Sequence, residues 1–127
     1  MKKIYRQLEA LSYSEAIDIL NTGDETELLL LPLRVGENLN NWKQAQTICI
    51  QLFFNSNPKI RANAALGLAY VARTKGKLEK DLVKPYLLKE LRENEENRWR
   101  IMDAIHDINL YLGWHIAEKS METYQSK

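Results

Sequence analysis

The side chains of this chain that are best suited to catalysis are a histidine–aspartate pair, one cysteine and a few serines. His106 precedes Asp107, and such a pair can orient a general base. Adjacent residues of a helix point in different directions, so we expect His106 to be a solvent-exposed residue without that role. Cys49 stands between two isoleucines with no cation nearby, which is typical of a small buried hydrophobe. Ser12 and Ser56 are explained by capping. We therefore predict no catalytic residue and no enzyme.

The sequence also lacks the common motifs that hold cofactors and metals. It has no glycine-rich phosphate loop, no paired-cysteine motif and no His-x-x-x-His spacing. His115 lies on a different predicted helix from His106, and we expect it to pack beside Trp114. We predict no cofactor and no metal site.

Composition predicts one soluble domain. The 127 residues suffice for one core but not for two ordinary domains, so residues 1–127 form a single predicted domain. A formal net charge of +1 gives no global field that favours nucleic acid or an anionic membrane. The single cysteine suits a reducing compartment. The N-terminus lacks the apolar run of a secretion signal, and the longest such run, 28–33, is too short to span a bilayer. We expect a cytoplasmic protein with no membrane partner.

Helices must position these side chains, because apolar residues recur with the helical period along most of the chain. Ser12–Glu15 matches a capping box. The run 28–33 could be a buried strand, but no second strand-like run exists to pair with it, so we prefer helix. Pro32 predicts a kink or interruption, Pro85 predicts a bend, and 36–41 is a polar linker. The predicted helices cover residues 1–11, 12–22, 24–35, 42–54, 58–75, 78–93, 95–112 and 114–124.

The helix predicted to start at Pro58 organises the rest. Asn57 is a capping residue, and proline suits the first helical position. Apolar positions run nearly all the way round this helix, with Lys59, Asn63 and Arg73 almost its only strongly polar side chains. Such a helix is covered on most sides, and its small residues let neighbouring helices approach closely.

This central helix has a counterpart later in the chain. A shift of 39 residues places Ile60-Arg61 on Trp99-Arg100, and helix pairs that recur in this way are typical of a stacked α-solenoid. The text Asn57-Pro-Lys-Ile-Arg-x-x-Ala-Ala-Leu-Gly resembles the HEAT repeat, with Asn97 replacing proline in the later copy. The resemblance implies an all-α fold, a short right-handed α-solenoid of about three stacked helix pairs. It also implies structural roles for Arg61 and Arg100.

The surface feature of most functional interest is a charged stripe on the 95–112 helix, formed by Glu96, Arg100, Asp103 and Asp107. One interpretation is a solvated face with charge pairs along the helix. The other is an acidic surface, extended by Glu93 and Glu95, that recognises a basic protein and speeds encounter with it. Trp99 is either an interface anchor or a core residue. The candidate partner-binding residues are Glu93, Glu95, Glu96, Trp99, Asp103 and Asp107.

A basic strip lies before this stripe and has two interpretations of its own. It consists of Lys75, Lys77, Lys80, Lys84 and Lys89. We prefer the outer face of the 78–93 helix, since mixed charges dominate soluble surfaces. The alternative is a phosphate-binding strip, but it lacks aromatic residues suited to stacking bases.

Two or three short helix pairs in a near-neutral cytoplasmic protein also resemble small all-α immunity proteins, which neutralise bacterial contact-dependent or polymorphic toxins. That resemblance rests on size and architecture. It implies a non-enzymatic protein-binding module that binds and occludes a cytoplasm-acting toxin, such as a nuclease domain. Two alternatives stay open, a HEAT-like scaffold or adaptor subunit of a larger complex and a nucleic-acid-binding HEAT-like protein.

Overall fold

The computed structural model describes residues 11–125, which form an all-α domain without strands. The predicted helix over 1–11 lies outside the described residues except for Leu11, which is buried. The helices are α1 (Tyr13–Thr22), α2 (Glu25–Asn38), α3 (Trp42–Leu52), α4 (Pro58–Lys75), α5 (Lys80–Glu93), α6 (Arg98–Leu112) and α7 (Glu118–Gln125). A short 3-10 turn, Glu95–Asn97, precedes α6.

Helix starts follow the capping chemistry of the sequence. The Glu15 amide donates to the Ser12 hydroxyl at 3.1 Å, and the Ser12 amide donates to the Glu15 carboxylate at 2.9 Å, which confirms the capping box. These hydrogen bonds lower the pKa of Glu15. Asn41 accepts from two amides at the start of α3, and Asn57 accepts from one at the start of α4. Local sequence therefore fixes where these helices begin.

The predicted linker at 36–41 is too long at its N-terminal end. Helix α2 continues to Asn38, and it passes through Pro32 without the predicted interruption. Gly36 is buried inside this helix, where a Cβ atom would lie 2.8 Å from the carbonyl oxygen of Gly67 on α4. Close packing on α4, rather than a turn, therefore explains this glycine. The preference for helix over strand at 28–33 is confirmed.

Three more helix boundaries differ from prediction. Helix α3 ends at Leu52, and α5 begins at Lys80 and runs through Pro85. The last helix starts at Glu118 rather than at residue 114. The segment before it is held by a side chain instead of by helical bonds: Asn109 accepts from the Ile116 amide at 2.9 Å and donates to its carbonyl at 3.1 Å. A side-chain bond of this kind is not marked by the helical period of the sequence.

Helix α4 lies between α2 and α6, the two helices that it contacts most extensively. Its small residues are buried, Lys59 and Arg73 are exposed, and Asn63 is half-buried, so the prediction of a helix covered on most sides is confirmed. Gly67 faces α2, since a Cβ atom there would lie 2.6 Å from the Pro32 carbonyl oxygen. We call these three neighbouring helices the α2–α4–α6 row. Helix α3 contacts α2 and α4, and α5 contacts α6.

Polar side chains bridge the row. The Asn63 amide donates to the Leu29 carbonyl of α2 at 2.8 Å, and Asn63 accepts from Arg100 of α6 at 3.1 Å. Arg61 pairs with the buried Glu90 of α5 at 3.1 Å and donates to the carbonyls of the α3–α4 turn. Both arginines thus join neighbouring helices, as their predicted structural role requires.

The burial pattern gives the register between α4 and α6. Buried positions 64, 65, 67, 68 and 71 match buried positions 101, 102, 104, 105 and 108, the same offset of 37 residues that separates Asn63 from Arg100. The predicted shift of 39 instead pairs the buried Ile60 with the exposed Trp99. The burial pattern therefore favours a shift of 37 residues over the predicted 39, since small apolar residues are frequent enough in α4 to align in more than one register.

Candidate protein-binding surface

All six predicted partner-binding residues are solvent-exposed. Five of them lie on the 3-10 turn before α6 or on α6 itself. Glu95 and Glu96 are on the 3-10 turn, and Trp99, Asp103 and Asp107 project from α6. These five residues therefore follow one another along a single helix and the turn that precedes it.

Glu93 is separated from this group. It ends α5, lies 3.6 Å from Arg92, and lines a cavity of about 390 Å³ together with Phe54 and Lys89. The same cavity contains the Arg61–Glu90 ion pair. Because opposite charges share this cavity, it does not extend the acidic surface, and we leave Glu93 out of it.

Arg100 does not neutralise the acidic stripe. The interpretation as a face of helical charge pairs requires Arg100 to contact Glu96 or Asp103, but its guanidinium turns to Asn63 on α4. Within residues 11–125, no ion pair engages Glu96, Asp103 or Asp107. The charge pairs of that interpretation are therefore absent among the described residues, whereas its solvated face agrees with the exposure of these carboxylates.

Large apolar side chains accompany these acids. Trp99 is 67% exposed, so it is not the core tryptophan that was the other possibility. Leu110 is 74% exposed and Tyr111 is 47% exposed. Positions 99, 103, 107, 110 and 111 fall on one side of a helix. We call this set, Trp99, Asp103, Asp107, Leu110 and Tyr111, the α6 face.

Sequence analysis missed Leu110 and Tyr111, although a signal was present. Both follow Asp103 and Asp107 at helical spacing, which places them beside the acids rather than on the opposite, buried side with Ile105. Exposed large apolar residues grouped on a folded surface mark interaction sites more often than scattered ones do.

A small cavity lies next to Trp99, where α7 approaches α6. Its volume is about 220 Å³, and Trp99, Met102, Tyr124, Glu95 and Arg98 line it. The Arg98 guanidinium lies 4.2 Å from the centre of the Tyr124 ring. Arg98 also donates to the carbonyls that end α5, at 2.9 and 3.1 Å. The Arg98 side chain is thus held by the protein itself, whereas Glu95 at the cavity rim makes no ion pair among the described residues.

The side chains considered for catalysis differ in their surroundings. Cys49 is buried, and burial raises the pKa of its thiol, as expected for a small hydrophobe. His106 is exposed, as predicted, and lies 3.3 Å from the Gln125 amide. His115 is not the predicted packing residue: it is exposed and lies 2.9 Å from Glu118. Among residues 11–125, no group of His, Cys, Asp and Glu is arranged to hold a metal ion.

The predicted basic strip follows the exposed side of α5 and the segment before it. Lys77, Lys80, Lys84 and Lys89 are exposed, and Lys80 lies 5.7 Å from the Trp114 ring centre. Exposed acids, Glu79, Asp81 and Glu93, lie along the same helix. This mixture of charges agrees with the preferred interpretation as an outer helix face.

Comparison of the chain with protein-family models, curated protein sequences and solved structures finds no match. No helix between residues 11 and 125 is long and apolar enough to cross a membrane. Functional inference therefore depends on the α6 face itself.

Proposed function

We propose that this chain is a non-enzymatic protein-binding module whose α6 face recognises a basic surface of another protein. The observation that carries this proposal is the combination of Asp103 and Asp107, which make no ion pair within the part of the chain that the structure describes, with the exposed side chains of Trp99 and Leu110. Buried aromatic anchors supply most of the binding energy in protein interfaces, and complementary charge speeds association and selects partners. The α6 face offers both.

The module is proposed to be a short HEAT-like α-solenoid, with the pairs α1/α2, α3/α4 and α5/α6 stacked in order. Support comes from the α2–α4–α6 row, the polar bridges through Asn63, and the matching burial patterns of α4 and α6. In such stacks the second helices of the pairs line one shared surface, where partners bind. The α6 face lies on one of these second helices.

Among basic protein partners, we favour a cytoplasm-acting bacterial toxin, with this chain as its immunity protein. A nuclease toxin must hold a phosphate backbone, so its substrate groove carries lysine and arginine. An acidic face with a central tryptophan could cover such a groove and exclude nucleic acid by charge and shape. The small helical architecture and the proposed cytoplasmic location agree with this role.

Co-expression tests the toxin assignment. The product of the neighbouring upstream reading frame is expressed under an inducible promoter, alone and together with this chain. We expect growth to stop when the product is expressed alone and to continue when both are present, with the two proteins eluting together. A product that is harmless alone, or toxic despite this chain, contradicts the immunity role. A harmless product that still co-purifies identifies the scaffold or adaptor alternative instead.

The nucleic-acid alternative makes an opposite prediction. Phosphates would be repelled by the α6 face, so we expect no mobility shift with duplex DNA at low ionic strength. A shift that disappears on adding salt, and that is lost when Lys80 and Lys84 are changed to glutamate, would move the functional surface to α5.

A further inference from the structure

The outer side of α6 corresponds to the side of α4 on which another helix, α6, packs. On α4, Ala62, Ala65 and Ala69 are buried on the side of the helix away from Gly67. Because Gly67 faces α2, those alanines lie on the side where α6 packs. In the register of the Asn63–Arg100 hydrogen bond, the corresponding positions on α6 are 99, 102 and 106.

These corresponding positions on α6 are only partly covered. Met102 is buried, and α7 contributes the buried Met121 and the half-buried Tyr124 near it. Trp99 and His106 remain exposed, and the cavity of about 220 Å³ opens beside Trp99. The outer side of α6 therefore has an incompletely covered edge, where the exposed Trp99 and the buried Met102 both line the cavity.

Charge identifies what fits this edge. Glu95, Asp103 and Asp107 are exposed and make no ion pair with any residue from 11 to 125, whereas the nearby Arg98 and Arg100 donate hydrogen bonds to neutral groups of the protein itself. The four acids at 95, 96, 103 and 107 outnumber these two arginines, so the edge keeps a negative charge beside the cavity. An acidic segment would place like charge opposite these carboxylates. A uniformly apolar segment would remove water from them without supplying a partner.

We propose that the outer side of α6, beside α7, binds an amphipathic helix of the partner protein that is rich in lysine and arginine. One apolar side chain of that helix enters the cavity between Trp99 and Tyr124, over Met102. Basic side chains on its flanks pair with Glu95 and Asp103. This inference rests on the proposed function and specifies the structural element of the partner that the α6 surface recognises.

A pair of synthetic peptides tests the proposal on the full-length protein. One peptide, about 18 residues long, places leucine on one helical face and lysine on the other, and its twin carries glutamate in place of every lysine. Both are titrated into ¹⁵N-labelled protein. We expect only the lysine peptide to cause saturable shifts, confined to amides of α6 and α7 and the Trp99 indole. No saturable shift up to about 1 mM peptide, equal binding of the twins, or shifts centred elsewhere would overturn the proposal.

Variants locate the contact. We expect Trp99→Ala to weaken binding of the lysine peptide at least about tenfold, since an anchor side chain is lost. Leu30→Ala is the matched control, because Leu30 is also a large exposed apolar residue but lies on α2. The affinity of this variant for the lysine peptide should stay within about twofold of that of the original protein. Equal losses in the two variants would overturn the assignment to α6.

The remaining outcomes separate this inference from the proposed function. If the lysine peptide does not bind but the natural partner still requires Asp103 and Asp107, helix docking is overturned and the protein-binding function remains supported. Peptide binding at α6 together with a harmless upstream product overturns the toxin assignment alone. Sedimentation should show a monomer; a dimer that Trp99→Ala dissociates would show that a second copy covers this edge and would overturn the proposal.

Discussion

Gly67 lies where α4 packs against α2, and its replacement by alanine tests how closely the two helices must approach. A Cβ atom there would lie 2.6 Å from the Pro32 carbonyl oxygen and 2.7 Å from the Cys49 sulfur. The carbonyl belongs to the backbone of α2, so the helices must separate to relieve the contact. Overpacking of this kind costs about 1–3 kcal/mol, and alanine regains about 1 kcal/mol of helix propensity. Since three atoms of α2 and α3 would lie within 3 Å of the new Cβ, we expect the upper end of that cost, so that Gly67→Ala lowers the free energy of unfolding by about 2 kcal/mol.

Urea denaturation followed by circular dichroism measures this change, with a double-mutant cycle as the control. Cys49→Ala removes the sulfur but leaves the Pro32 carbonyl in place. In that background Gly67→Ala should cost roughly 0.5–1 kcal/mol less than in the original protein, because one of its contacts is gone. A Gly67→Ala variant as stable as the original protein would show that α2 and α4 are not packed at this distance.

Three further substitutions probe the polar bridges and the α6 face by the same denaturation measurement. Arg61→Ala leaves the buried Glu90 with one neutral donor, Asn94, and should cost about 2–4 kcal/mol; a cost below about 0.5 kcal/mol would contradict a structural ion pair. Asn63→Ala removes the bridge to both neighbouring helices and should cost about 1–2 kcal/mol, whereas no loss would mean that water replaces both hydrogen bonds. Trp99→Ala should change stability by less than about 0.5 kcal/mol, since the side chain is mostly exposed; a large loss would assign it to the core.

Helix starts could be predicted from the sequence because their chemistry is local. Ser12 with Glu15, Asn41, and Asn57 with Pro58 each satisfy backbone donors within a few residues of themselves. The burial of α4 was equally predictable, because a helix with few polar side chains has no face suited to water. These features need no knowledge of neighbouring helices.

Features that depend on neighbours could not be obtained in this way. Gly36 has the composition of a linker, yet it continues α2 because α4 lies against it. Helix α7 starts after residue 114 because Asn109 holds the preceding segment. The first outcome depends on a contact between residues far apart in the chain, and the second depends on a side-chain bond within a turn.

The candidate site was predicted in part for the same reason. The acids at 95, 96, 103 and 107 are exposed as the helical period requires. Whether Arg100 neutralises them is decided by Asn63 on another helix, which draws the guanidinium away. The exposure of Trp99 likewise depends on how little of α6 is covered by α7. The sequence thus predicted which acids are exposed, whereas tertiary packing determines their ion pairing and the exposure of Trp99.

Partner affinity measured by isothermal titration calorimetry tests the central claim most directly. The titrated partner is the product of the upstream reading frame or the protein that co-purifies with the chain. The charge reversal Asp103→Lys/Asp107→Lys is compared with Asp18→Lys/Glu37→Lys, which reverses two exposed acids on α1 and α2. We expect the first variant to bind at least about tenfold more weakly, with a smaller salt dependence, and the second to stay within about twofold of the original protein. Equal affinities for all three proteins would contradict recognition through the α6 face.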